Sequence, residues 1–310
     1  MSDDLAAQVH DALISIPGLD ALDPDAYTVT RLGGLTNLVF RIGVAGGAYV
    51  LRLPGKGTEA YINREVELHN ANVAAEAGVS PEVIYAKAED GLMLTHCIED
   101  IITMTPEYFI ELDGAPERAG EAFRQLHTCG LEFQSRFDLF AMIDDYLAIL
   151  KAKNATLPPG YADVVAAAQP ARQALAAQPA DLAPCHCDPL CENFLDDGER
   201  MWIVDWEYSG MNDPLWDLGD LSVEAGLTPE QDMAMLRAYF GGNPTVAQIG
   251  RMTVYKAMCD LLWTLWGLIQ HADGNPAEDF WAYAVGRFNR CQALMETPEF
   301  EGHVAAVARG

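Results

Sequence analysis

Two hydrophobic periods divide the chain. Up to about residue 99, apolar positions alternate with polar ones and glycines interrupt them; beyond it they recur mostly at helical spacing. Residues 27–32, 38–44 and 48–53 are β-branched and aromatic runs separated by Gly33-Gly34 and Ala45-Gly46-Gly47, which predicts three antiparallel strands joined by tight turns. Pro54 and Gly55 end that sheet. From 59 to 77 the period becomes helical, with Ile62, Val66 and Val73 on one face and a stop at Gly78 and Pro81. Short strands are predicted over 82–86 and 91–98. One interruption breaks the helical remainder: Asn193-Phe-Leu, Asp196-Asp-Gly-Glu and Met201-Trp-Ile-Val-Asp205 read as a hairpin turning on Asp-Gly, with Asp205 on its exit strand. The alanine- and proline-rich run 155–184 predicts one helix with a loose linker on each side. Strands first and helices second predict an α+β fold of two unequal lobes, 1–97 and 98–310, with a cleft between them.

Composition narrows the partners. Of 310 residues, half are hydrophobic and a fifth charged, enough for a sizeable core and unlike disordered or collagenous chains. The formal net charge of −27 repels phosphate backbones, which argues against a nucleic-acid partner and favours a small cationic ligand. A nucleotide would need metal ions and local positive charge to screen that repulsion. Seven cysteines and an acidic start at Met1-Ser-Asp-Asp predict reduced thiols in a cytoplasm. The most apolar helical stretch, 257–269, is too short to span a bilayer and carries Asp260, so no membrane role is expected.

The candidate chemistry centres on His186-Cys-Asp188-Pro-Leu-Cys-Glu-Asn193, followed by Asp205 after the hairpin. Phosphoryl transfer needs a carboxylate to orient the acceptor hydroxyl and hard oxygen ligands to hold Mg²⁺ on the phosphates. H-x-D-x-x-x-x-N with a later Asp supplies both in kinase order, Asp188 as base and Asn193 with Asp205 as metal ligands. The competing readings are an Asp-Pro turn before a structural hairpin, and zinc capture by Cys185, His186, Cys187 and Cys191. Zinc is disfavoured because no remote pair of ligands offers itself. Gly33-Gly34-Leu-Thr36-Asn37 between strands could let phosphates approach backbone amides, or could serve only a turn. Neither G-x-x-x-x-G-K-[ST] nor a helix-opening G-x-G-x-x-G occurs. Arg52 on the third strand could grip phosphates, paired with Glu65 or Glu67; the helical wheel sets these about 200° apart and does not choose. Trp263 and Trp266 share a helix face, Tyr283 comes from a later helix, and Glu224 could add Coulomb attraction for a quaternary ammonium. On the residues alone, the same stripe is more often the pattern of a packed core than of a cation site.

On these residues the sequence resembles the choline/ethanolamine kinase family, within the aminoglycoside-phosphotransferase-like and protein-kinase-like fold, over about residues 33–287. Gly33, Gly34, Thr36 and Asn37 resemble its phosphate loop; Val50-Leu-Arg52-Leu-Pro-Gly resembles its third strand. Residues 63–67 resemble its first helix, where spacing back from Pro81 favours Glu67 as the ion-pair partner. His96-Cys-Ile98 falls where the family's hinge meets adenine. Val204-Asp205-Trp-Glu207-Tyr208 resembles I-D-F-E-Y, and the segment 217–224 resembles one bearing an acid, Glu224, near the choline site. Trp263, Trp266, Phe280 and Tyr283 resemble its C-terminal aromatic motif, with Phe280 where tyrosine is common. The resemblance implies ATP and Mg²⁺ as cofactors, Asp188 as base, Asn193 and Asp205 on the metal, and choline or a related amino alcohol as acceptor. Aminoglycoside or thiamine phosphotransfer and a non-catalytic nucleotide-binding pseudokinase are the alternatives.

Overall fold

The computed structural model describes residues 3–33, 37–54 and 62–310. Helix α1 (Asp3–Ile14) precedes a five-stranded antiparallel sheet of β1 (Tyr27–Arg31), β2 (Leu38–Val44), β3 (Gly47–Leu53), β4 (Val83–Lys87) and β5 (Leu92–His96). Spatial order is β1-β2-β3-β5-β4. The β2–β3 turn is tight because Val44 pairs with Gly47, leaving Ala45 and Gly46 at its tip, and Gly46 takes φ +93°. Val9, Leu13 and Ile16 cover Phe40, Ile42, Leu51, Leu92 and Leu94, so the sheet has its own small core. Nothing in the sequence reading anticipated α1.

Helix α2 (Arg64–Glu76) starts later than its periodicity suggests, because Asn63 caps it by accepting from the amides of Glu65 and Val66. The expected start at Glu59 lies outside the described residues. Gly78, at φ +78°, ends it as anticipated.

The remainder is helical around a second, larger core. After β6 (Ile102–Thr103) come α3 (Pro106–Glu111), α4 (Ala115–His127), α5 (Leu139–Ala152), α6 (Tyr161–Ala167) and α7 (Gln169–Ala177). The run 155–184 therefore holds two helices, and its end forms strand β7 (Ala183–Cys185), which pairs with β10 (Gly210–Asn212). The hairpin is β8 (Phe194–Asp196) and β9 (Met201–Ile203). Asp205 lies beyond β9, at a left-handed φ of +70°, and not on the strand as expected. Helices α8 (Pro214–Ala225), α9 (Pro229–Phe240), α10 (Val246–Ala272), α11 (Phe280–Met295) and α12 (Phe300–Arg309) complete the chain. Gly219 lets α8 lie against α10: a Cβ there would stand 2.9 Å from the Met252 carbonyl oxygen. Among the described residues, no helix is long and apolar enough to cross a membrane.

Candidate active site

The loop bearing Asp188 is held from below by one carboxylate. Asp217, fully buried on α8, accepts from the amides of His186 (2.7 Å) and Cys187 (2.8 Å). Its Oδ2 also meets His127 Nε2 of α4 at 3.0 Å. Trp216 Nε1 donates to the Cys187 carbonyl at 3.1 Å, and Cys187 itself takes φ +69°, so the chain is not extended there. Buried His186 donates Nε2–H to the Val204 carbonyl (2.9 Å) and packs its ring 4.9 Å from that of Trp206, tying this loop to the one that carries Asp205. Asn193 joins both: its Nδ2 donates to the Asp188 carbonyl at 3.2 Å, and its own carbonyl accepts from Val204 N at 3.0 Å. The three predicted oxygen-bearing side chains thus sit on segments bonded directly to one another.

Across from them lies an ion-pair network. Arg52 on β3 pairs with Glu67 on α2, through a close Nη1–Oε1 contact and an Nη2–Oε2 bond of 2.9 Å; Glu65 is exposed. Arg64 reaches Glu67 (2.8 Å) and Glu207 (2.6 Å), and Asn37 Nδ2 donates to Glu207 at 2.7 Å. Burial alone would raise the Glu67 carboxyl, but Arg52 and Arg64 outweigh it and hold it below the usual range. Arg64 and Glu207 were given no role from sequence, although Glu207 stood inside the quoted motif.

Asp205 and Asp188 are shifted the other way. Enclosing protein and then Glu207 push the Asp205 carboxyl up to about 7, although its side chain opens to solvent. Burial, then Glu224 and Asp205, push Asp188 up to about 8. Carboxylate oxygens of Glu67, Asp205 and Glu207 lie within 4.8 Å of one another. Hard, crowded, incompletely neutralised oxygens are a donor set that fits Mg²⁺, which relieves their repulsion. A carboxyl whose folded value exceeds the ordinary value of about 4 binds protons more tightly folded than unfolded. Stability from it therefore falls as pH rises from about 4 and is lowest above 7. In EDTA, Asp205→Asn is accordingly expected to melt above wild type, with a gap that widens between pH 5 and 8. Mg²⁺ should raise the wild-type melting temperature more than the variant's.

The aromatic residues named from sequence come together. Ring centroids of Trp266 lie 6.4 Å from Trp263, 5.6 Å from Phe280 and 5.8 Å from Tyr283, and Tyr208 adds an edge 5.8 Å from Trp263. Trp263 and Phe280 are buried, Trp266 and Tyr283 partly so. Glu224 is not an unengaged anion beside them. Arg287 pairs closely with it, donates to Asp260 at 3.2 Å, and stacks 4.7 Å from the Tyr283 ring.

The remaining expectations divide. Gly33 is exposed with open space where a Cβ would stand, while Gly34 and Thr36 lie outside the described residues. His96 is exposed, and Ile98 half-buried, at the end of β5. The backbone N–H of His96 donates to Glu82 and that of Cys97 to Ala48, so these two amides are engaged within the protein. Cys185, Cys187 and Cys191 are buried thiols whose pKa values burial pushes upward, which disfavours the thiolate a zinc ligand requires.

Comparison with known proteins fits this geometry. The phosphotransferase enzyme family (APH) matches residues 28–249. A solved choline/ethanolamine kinase family protein from Mesorhizobium loti is 59% identical, covers 99% of this chain and 100% of its own, and superposes with a TM-score of 0.91. The chain belongs to the phosphotransferase enzyme family and, within it, to the choline/ethanolamine kinase family. Choline kinase LicA from Streptococcus pneumoniae is 26% identical over 94% of this chain and 99% of that one, at a TM-score of 0.76. Protein LicA of Haemophilus influenzae is 29% identical over 86% of this chain and 79% of its own length. The phosphotransferase match stops at 249, within the first turn of α10 and before Trp263, Trp266, Phe280 and Tyr283.

Proposed function

We propose that this phosphotransferase moves the γ-phosphoryl group of ATP, with Mg²⁺, to the hydroxyl of choline or a closely related amino alcohol. The observation that carries this reading is that Asp188 lies within electrostatic reach of Tyr283, Arg287 and Glu224 on one side, while Asp205 lies within reach of Arg52 and beside Glu67 and Glu207 on the other. Arg52, kept in place by Glu67, grips the donor's phosphates. Asp188 orients the acceptor hydroxyl and takes its proton late in the transfer. Asn193 and Asp205 would hold Mg²⁺, which when bound neutralises charge on the phosphates. With the metal and a cationic acceptor in place, positive charge beside Asp188 and Asp205 favours their ionised forms. The rings of Trp263, Trp266, Phe280 and Tyr283 attract an ammonium by their faces, worth about 0.5–2 kcal/mol per ring. An aminoglycoside, a polycation, would call for several uncompensated acids in place of tryptophans. Residues 1–97 form the donor lobe and 98–310 the catalytic and acceptor lobe, working in a cytoplasm.

The test is ADP release from Mg-ATP with choline, ethanolamine, thiamine or kanamycin, using Asp188→Asn as the blank. Release that depends on choline, and less on ethanolamine, is expected. Release driven by kanamycin or thiamine alone moves the enzyme to another acceptor class. No release with any acceptor, beside firm ATP binding, makes it a nucleotide-binding scaffold.

A further inference from the structure

We propose that Asp220 is a specificity-determining residue of the acceptor site: it holds the Trp263 indole by its Nε1–H and backs that ring with negative charge, so that the site selects acceptors carrying a fixed positive charge. The inference rests on the amino-alcohol reading above. Asp220 sits on α8 at i+3 from Asp217 and four residues before Glu224, so the three carboxylates share one helix face. Asp217 is used up in holding the catalytic loop, and Glu224 is compensated by Arg287. Among the described residues, Asp220 has neither the backbone amides that engage Asp217 nor the arginine that engages Glu224. It is 1% exposed, its Oδ2 accepts from Trp263 Nε1 at 3.2 Å, and its Oδ1 is buried with no hydrogen-bond partner.

With Asp220 ionised by an incoming cation, two rings of the cluster are backed by opposite charges. An indole N–H bonded to a carboxylate pushes electron density into the ring and strengthens the pull of its face on a cation. Tyr283 instead carries the Arg287 guanidinium 4.7 Å from its ring centre. An ammonium entering the cluster is drawn toward Trp263 and repelled from the Arg287 side. The groups that act on Asp220 are Glu224 on its own helix, Asp188 on the catalytic loop, Cys259 of α10, and Arg287 of α11. Burial, then Glu224 and Asp188, push its carboxyl well up against the lowering by Arg287. A cation on Trp263 acts in the same direction as Arg287 and favours the ionised form.

The experiment compares choline with 3,3-dimethyl-1-butanol, an alcohol of the same shape without the charge. Asp220→Asn keeps the size and an oxygen for Trp263 Nε1 while removing the charge. Its kcat/KM for choline is expected to fall about 3- to 30-fold, mostly through KM, with the uncharged alcohol changed less than about twofold. Trp263→Phe, which keeps a ring but cuts the link to Asp220, should show the same charge-selective loss and serves if Asp220→Asn does not fold. Glu224→Gln acts through Arg287 and should lower both acceptors by a similar factor. Equal losses on both alcohols, or none, in Asp220→Asn and Trp263→Phe overturn the inference alone. A wild-type enzyme that phosphorylates neither alcohol overturns the acceptor reading, and this inference with it.

Discussion

Asp188→Asn is expected to lower kcat by about 10²- to 10⁴-fold while leaving nucleotide affinity close to wild type. The amide fills the same space and keeps an oxygen toward the acceptor hydroxyl, but it cannot take the proton. Asp188 also explains an expected pH profile. Its carboxyl is pushed up to about 8 by burial and by Glu224 and Asp205. Free enzyme therefore gains the ionised base as pH rises, and wild-type kcat/KM should climb from pH 6 toward 8, whereas the variant's residual rate should stay flat. Steady-state kinetics across that range, with calorimetric titration of nucleotide, checks all three points. Full activity in Asp188→Asn would remove the base from the mechanism.

Arg287→Met should be the most damaging change to stability. Arg287 is 4% exposed and joins Glu224 on α8, Asp260 on α10 and the ring of Tyr283 on its own helix. Removing one partner of a buried pair leaves a charge without compensation, at a cost of about 3–5 kcal/mol. Asp260 retains Arg290, bonded at 2.7 and 3.1 Å, so the loss falls mainly on Glu224. Thermal melts should show a drop of about 6–20 °C on the usual scaling. Adding Glu224→Gln should recover part of it, because the uncompensated charge is then gone. A drop of less than about 2 °C would show that Glu224 finds water instead.

The strands were legible because alternation with glycine turns is a local signal, and β1, β2 and β3 fall within a residue or two of the predicted runs. The Arg52 partner was not legible from the helical period, because Glu65 and Glu67 have the same chemistry; the family spacing back from Pro81 favoured Glu67, and Arg52 does pair with it. Strands β6, β7 and β10 escaped notice because short segments take their structure from distant partners, whereas α1 carried a helical signal, Leu5, Val9, Leu13 and Ile16 at i, i+4, i+8 and i+11, that the sequence reading did not use. Asp205 was placed on a strand because side-chain pattern carries no sign of φ, and the left-handed turn appears only once its hairpin is fixed. The segment 217–224 held more than was drawn from it. Asp217, Asp220 and Glu224 at helical spacing announce one acidic face, yet three identical charges there do three different things. Which one anchors a loop, which pairs with arginine and which stands behind a tryptophan depends on contacts up to 90 residues away.

Asp217 has a mechanical corollary. Because it ties the amides at 186 and 187 to α4 and α8, the seat proposed for the acceptor hydroxyl is built into the helical body, while Arg52, the proposed phosphate grip, rides on the small sheet. A tilt of that sheet would change the gap across which phosphorus must travel and leave the receiving end undisturbed. Fit to the incoming alcohol and timing of delivery can therefore be tuned by separate sets of substitutions.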